Sequence, residues 1–490
     1  MDGHALANPT WVDTCCFALS TLLGNKVSFP DSEAYDASIT SYFAQQNSEL
    51  RPHCIVTPTS AEDVSTIINK IVSIPLQEGQ DESECPFAVR SGGHTSLIGG
   101  PNINDGVTID LSALDSISLS GDGSTLSIGP GASWGNVYAF LDPLGLSVAG
   151  GRVAPVGVGG LTLGGGMSYL SPRYGFTCDT VRAFEVVLAN GTIVTVTDDE
   201  HADLMAALRG GASNLGVVTR IDFRVVEQGP VWGGNVIYVL ETETVENHFQ
   251  ALVELNTAEG YDEFASVIMS LTFPGALGVA VVADNIVYTK AQENPETLTG
   301  FFETPALNST MRITGIHEIA TEMGALPPDG RRQLSVVTTQ KSNLPLLKAT
   351  YHHWDSTLSA VQDIGGIVWS LSFQPLPPSI YARAATANAL GFSDKTEPLF
   401  MVLLSATWDD ENDDTRVEEA ARTLFATLED EARRLDSYDP FLYLNYAAEW
   451  QDPIASYGAE SVEMLRRVAE EVDPDGVFRV RMPGGFKIPV

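Results

Sequence analysis

Glycine constrains this chain more than any other residue. The 490 residues include 44 glycines, and they cluster: the stretch from Gly150 to Gly175 is the densest, and a second glycine-rich loop runs from Arg90 to Gly100. Glycine tolerates positive φ and lets a ligand approach the main chain, so consecutive N–H groups can converge on an anion. Each loop follows a strand-like run. Hydroxyls accompany both, with Ser91, Thr95 and Ser96 in the first and Thr162 in the second. A single glycine loop is commonly a tight turn; two long ones carrying hydroxyls read as a pyrophosphate cradle. Neither is a P-loop, because no Gly-Lys-Ser/Thr occurs, and no Gly-x-Gly-x-x-Gly lies between a strand and a helix near the start. His94 closes the first loop.

The pattern around the loops is α+β. Thr59-Ser60-Ala61-Glu62 reads as a capping box, and Val64, Ile67, Ile68 and Ile71 follow at helical spacing. A polar loop is expected from Gln77 to Glu84. Phe87 to Arg90, Val107 to Leu111 and Thr125 to Ile128 read as strands, and Trp134 to Leu141 as a helix behind Ser133. Phe184 to Leu188 and Ile193 to Val196 flank Asn190-Gly191, a hairpin turn. A helix at Asp203 to Arg209 and a strand at Val217 to Val226 end a first domain, placed at 1–228. Over 229–435 the glycine loops vanish. Strand-like runs at Val368 to Phe373 and Phe400 to Ala406 mix there with acidic helices such as Val417 to Leu435, as in a second α+β domain with a sheet. The segment 436–490 returns to dense aromatic and glycine content. Asp409 to Asp414 reads as a solvated acidic loop.

Charge narrows the partners. The formal net charge is −36, from 63 acidic against 27 basic side chains, which opposes nucleic acid and anionic lipid. Apolar runs such as Cys15 to Leu23 fall short of the roughly 20 residues a spanning helix needs. No basic segment precedes that run, so it does not read as a signal peptide. Cys15, Cys16, Cys54 and Cys85 cluster early, apart from Cys178, and two disulfides among them have three connectivities. Buried thiols are the plain alternative; zinc is disfavoured because no Cys-x-x-Cys spacing occurs. Sequons at Asn190 and Asn308 agree with a secretory compartment.

One motif is a decoy. Gly131-Ala132-Ser133-Trp134-Gly135 matches a nucleophile elbow, and His352 or His353 could complete a triad. Ser133 is equally the N-cap of the Trp134 helix, and a hydrolase would leave both glycine loops without a purpose.

Taken together, AVRSGGHT (Ala88 to Thr95), VTIDLS (Val107 to Ser112), VGVGGLTLGGG (Val156 to Gly166), YGFTCD (Tyr174 to Asp179), LRGGASNLGVVT (Leu208 to Thr219), YLNY (Tyr443 to Tyr446) and DPDGVF (Asp473 to Phe478) resemble, in content and order, the fungal form of the berberine-bridge-enzyme-like branch of the vanillyl-alcohol-oxidase flavoproteins. The resemblance implies a PCMH-type FAD-binding domain built from both chain ends, with an inserted substrate domain carrying an antiparallel sheet. It implies FAD bound covalently through His94. Many relatives add a link from a cysteine that is Val153 here, so one link is expected. It places the cofactor among Arg90, Ser91, Gly92, Gly93, His94, Thr95, Ser96, Val156, Gly157, Gly160, Leu161, Thr162, Gly165, Gly166, Tyr174, Gly175, Asp179, Gly216, Val218, Tyr443 and Asn445. Valine at 156, the family's gate position, is associated with oxygen access. Leu161 stands where some plant relatives have a flavin-contacting histidine.

Chemistry of this kind needs a base beside the substrate's C–H. Tyr446 is the first candidate, packing being its plain alternative. Gln374 would orient substrate, and one histidine of Tyr351-His352-His353-Trp354, with His353 the candidate, would face the pocket if that cluster is a strand. Trp450 and Tyr457 read as core. The expected activity is oxidation of a small metabolite by a secreted monomer, with oxygen as acceptor. Carbohydrate oxidation and a flavoprotein cyclase without net redox are the alternatives.

Overall fold

A computed structural model describes residues 11–74, 85–326, 328–382 and 387–489. The loop expected at Gln77 to Glu84 lies outside them. The fold is α+β, with four sheets among the described residues. In the first, Cys54–Val56, Val107–Asp110 and Phe87–Arg90 run parallel, with Val27–Ser28 antiparallel at one edge. The second is an antiparallel set of five in the order Ile117–Leu119, Thr125–Ile128, Val217–Arg224, Val181–Val187, Ile193–Val196. Its last hairpin turns at Gly191, whose φ is +75°. A short pair, Leu146–Ser147 with Val226–Glu227, stands beside them.

The fourth sheet has nine antiparallel strands drawn from Val231 to Asp439. Its side chains alternate, as period-2 strands require. One face carries Phe373, Val402 and Leu404, packed under the helices Thr242–Leu255, Leu344–Val361 and Asp414–Arg434. A fully buried pair pins that layer: Nδ1 of His248 lies 2.9 Å from Asp284, whose carboxyl is pushed above the ordinary range by burial. The other face is rich in hydroxyls. Ser270 meets Ser372 and Thr272 meets Ser370, each pair at 2.8 Å.

The helix Ala61–Val72 shows how local sequence makes an element. Val64, Ile67, Ile68 and Ile71 are buried on one side. The cap sits one residue later than the capping box predicts: Ser60 accepts from the Asp63 N–H, and Asp63 reaches back to the N–H of Thr59. The returning tail stitches into this region, with Arg481 donating to the carbonyls of Ile71 and Ile74. Two disulfides, Cys15–Cys85 and Cys16–Cys54, resolve the three connectivities, and Cys178 is a buried free thiol. The acidic run is only partly a solvated loop. Asp409 pairs with Arg331 and Asp414 with Arg332, while Asp410 accepts from Asn412.

Candidate functional site

The strand Phe87–Arg90 delivers the chain into the loop that ends at His94. Behind this loop, Arg90 donates to Ser38 and Ser41 and stacks over Tyr42 at 3.9 Å. Its guanidinium therefore braces the loop rather than lining it. Asn47 clamps the far end, donating to the carbonyls of Thr95 and Leu97 and accepting from the N–H of Gly99. Ser91 donates to the carbonyl of Pro130, Thr95 accepts from the N–H of Leu97, and Thr162 donates to the carbonyl of Val158. The hydroxyls expected to cradle a pyrophosphate are thus mostly spent within the protein.

The main chain is not. Among the described residues, none of the N–H groups of Gly92, Gly93, His94, Thr95 and Ser96 has an acceptor. Gly93 is buried and its neighbours are half-buried, so a run of N–H groups without acceptors is suited to an anion that the chain does not supply. His94 adds a second signal. Its ring stacks on Phe43 at 4.0 Å, and Nε2 is buried without a hydrogen-bond partner, 4.0 Å from Asp329. Burial lowers the imidazole pKa against the opposing pull of Asp329, which favours the neutral ring.

The second glycine loop lies against the first. A Cβ on Gly157 would come 2.4 Å from the nitrogen of Gly92, and one on Gly92 would come 2.7 Å from Gly157. Val156 is half-buried here, and its carbonyl accepts from the N–H of Trp134. Gly160 faces open space, with nothing within 4 Å of where its Cβ would stand. Asn445 pins this loop, donating to the Leu161 carbonyl and to Tyr443 at 3.0 Å each. Gly165 and Gly166 take positive φ and receive the N–H groups of Cys178 and Thr177.

Several expected cofactor residues are engaged with the protein itself. Asp179 accepts from the N–H of Phe176 and from Asn388, is pushed up to about 6 by burial, and sits against Gly175. Tyr174 lies under Arg173 and Arg224. The side chain of Val218 belongs to the hydrophobic core, next to Gly216 at the start of the strand Val217–Arg224. Ser133 is the cap of the Trp134–Leu141 helix, accepting from the N–H of Asn136, so the elbow motif is a helix start.

At the other end of the Gly150–Gly166 segment stands a residue the sequence reading missed. Arg152 donates through Nη2 to Gln374 at 2.6 Å and to Tyr446 at 2.9 Å. Its backbone is fixed too, because Tyr169 donates to the Arg152 carbonyl at 3.4 Å and to Asn285 at 3.1 Å. Gln374 is buried on the hydroxyl face of the large sheet, since its neighbour Phe373 packs on Phe249 in the helix layer. Tyr446 sets its ring edge-on to Tyr443 at 4.7 Å. The structure therefore joins Tyr446 and Gln374 but not His353. The cluster Tyr351 to Trp354 is helical, within Leu344–Val361, so His353 lies in the layer covering the opposite face. A separate cleft of about 600 Å³, lined by Leu188, His201, Asp203, Val468 and Asp475 among others, holds none of these residues.

The glycine cradle and the α+β architecture define a FAD-binding protein, and residues 52–197 match the family described as FAD binding domain. The 6-hydroxy-D-nicotine oxidase of Arthrobacter nicotinovorans has the same fold, with a TM-score of 0.78 at 21% identity over 95% of this chain and 98% of that one. Closer in sequence is the FAD-dependent monooxygenase sdcF of Emericella nidulans, 34% identical over 97% of this chain and 98% of its own length. Oligopeptidase PhomG' of Diaporthe leptostromiformis is 40% identical over 100% of this chain, which spans only 38% of that protein. The chain belongs to the family of fungal FAD-linked oxidoreductases that includes sdcF, and it shares its fold with the BBE-like 1 protein of Physcomitrella patens, with a TM-score of 0.75 at 18% identity over 97% of this chain and 99% of that one.

Proposed function

We propose that the protein is a secreted, monomeric FAD-dependent oxidase that holds its flavin through one covalent bond at His94 and oxidises a small organic metabolite. The observation that carries this reading is the buried, unpartnered Nε2 of His94 beside a run of acceptor-free N–H groups. When bound, the flavin supplies the hydride acceptor and passes the electrons to oxygen, giving hydrogen peroxide. Residues 1–228 and 436–490 form the cofactor half and 229–435 the substrate half. Val153 offers no second attachment point.

The chain's own residues handle binding and protons. Gly92 to Ser96 present N–H groups to the pyrophosphate, and Asn445 holds the Leu161 loop in place. Tyr446 takes the proton released with the hydride, its Oη held by Arg152. Gln374 orients the substrate over the hydroxyl strip of the sheet, and Val156 stands at the oxygen gate. Two disulfides and exposed sequons at Asn190 and Asn308 support an oxidising compartment. No helix among the described residues is long and apolar enough to cross a membrane.

A second reading is favoured by the relatives named as monooxygenases. Turnover of alcohols, amines and polyketide-like metabolites under isotopically labelled oxygen separates the two. Substrate-dependent hydrogen peroxide with no label in the product is the expected result. Label in the product moves the assignment to a monooxygenase. Product formed without oxygen uptake makes the protein a cyclase.

A further inference from the structure

Five arginines are buried among the described residues, and in four of them both Nη groups donate within the protein. Arg90 lies 3.7 Å from Asp110, Arg209 forks onto Asp198, and Arg332 holds both Asp414 and Glu49. Arg481 caps the carbonyls of Ile71 and Ile74. Arg152 is the exception. Only 6% exposed, it has no carboxylate in range among the described residues, and it engages an amide oxygen and a phenol oxygen through Nη2 alone. Its Nε and Nη1 donate to nothing among the described residues.

A buried guanidinium without an anion is costly, and arginine's fixed fork is matched to oxygen anions. The position argues that the missing anion is not a protein group. Arg152 meets the hydroxyl face of the sheet at Gln374, and its backbone is held by Tyr169 and Ala154 is tied to Ala320, so the charge is presented from a fixed support. The molecule as a whole carries −36, so long-range attraction cannot draw an anion in. Only a local cation of this kind would hold one.

We propose that Arg152 is the anion seat of the substrate pocket. The substrate is an organic oxygen acid, ionised as a carboxylate or as the enolate of a 1,3-dicarbonyl, whose charged oxygen accepts from the unspent donors of Arg152. This rests on the oxidase reading for the location of the pocket, though not for its charge preference.

The test is isothermal calorimetry on the purified holoenzyme with four probes: benzoate, the cyclic 1,3-diketone dimedone in its enolate form, and the neutral benzamide and benzyl alcohol. One or both anions should bind wild type at least tenfold more tightly than the neutral probes. Arg152→Met should lose that preference, and Arg152→Lys should keep part of it. Binding of benzoate alone or of dimedone alone identifies the source of the charge. The proposal is overturned if neutral probes match the anions in wild type, if neither anion binds, or if Arg152→Met binds anions as wild type does. The wild-type comparison decides the matter even if the methionine variant does not fold. Protein without a flavin spectrum defeats the oxidase reading, whatever the calorimetry shows.

Discussion

Tyr446 touches the rest of the site through Arg152 and, at 3.5 Å, through Gln374, so Tyr446→Phe deletes one oxygen without opening a cavity. If this phenol moves the proton, the variant loses about 10²- to 10⁴-fold in the rate of flavin reduction, measured by stopped flow. Its flavin content and thermal midpoint should stay close to wild type, which separates a base from a packing residue. Asp179 supplies a pH dependence. Its folded pKa of about 6 lies above the 3.8 it has when exposed, so the folded state binds the proton more tightly. Stability on this account is full below about pH 4 and is lost as pH rises through about 6. A shift of this size is worth about 3 kcal/mol. In thermal melts of Asp179→Asn against wild type, the variant should gain relative stability between pH 4 and 7. A difference that does not change with pH would contradict it.

The two glycine loops act as one element because they touch without side chains. In Gly157→Ala the new methyl meets the main chain of Gly92, which cannot swing away as a side chain would. The loops must part, and the acceptor-free N–H groups lose their common direction. The variant should fold, with a thermal midpoint lowered by a few degrees, yet incorporate far less FAD, as absorbance per polypeptide would show. These loops were legible in the sequence because glycine content itself marks close backbone approach. So were strands such as Phe87–Arg90, Thr125–Ile128 and Ile193–Val196, the Ser133 cap and the buried stripe of Ala61–Val72. The helix Leu344–Val361 was not. Asn343, Pro345 and the spacing of Leu347, Tyr351, Trp354 and Leu358 all signal a helix, but the polar-aromatic composition of Tyr351 to Trp354 drew attention from the period. Arg152 was illegible for a different reason. Its partners are 222 and 294 residues away, and nothing near it in sequence hints at them. Asn47 likewise has no local signature.

Across the whole molecule, the cofactor region depends on distant parts of the chain. The disulfides tie the helix Trp11–Leu23 to the parallel sheet whose strand Phe87–Arg90 leads into the His94 loop, closing separations of 70 and 38 residues. The tail supplies Asn445 and Tyr446 to one side and Arg481 to the other. The nine-stranded sheet brings Gln374 against Arg152. Which anchors matter for stability is secondary to whether they meet around a covalently held flavin. The most direct measurement is the visible spectrum of the purified protein, followed by acid precipitation of wild type and His94→Ala. The account predicts yellow colour that stays with the wild-type pellet and is released from the variant. Flavin that washes from wild type would contradict the His94 bond, and protein that takes up no flavin even after reconstitution with FAD would contradict the assignment itself.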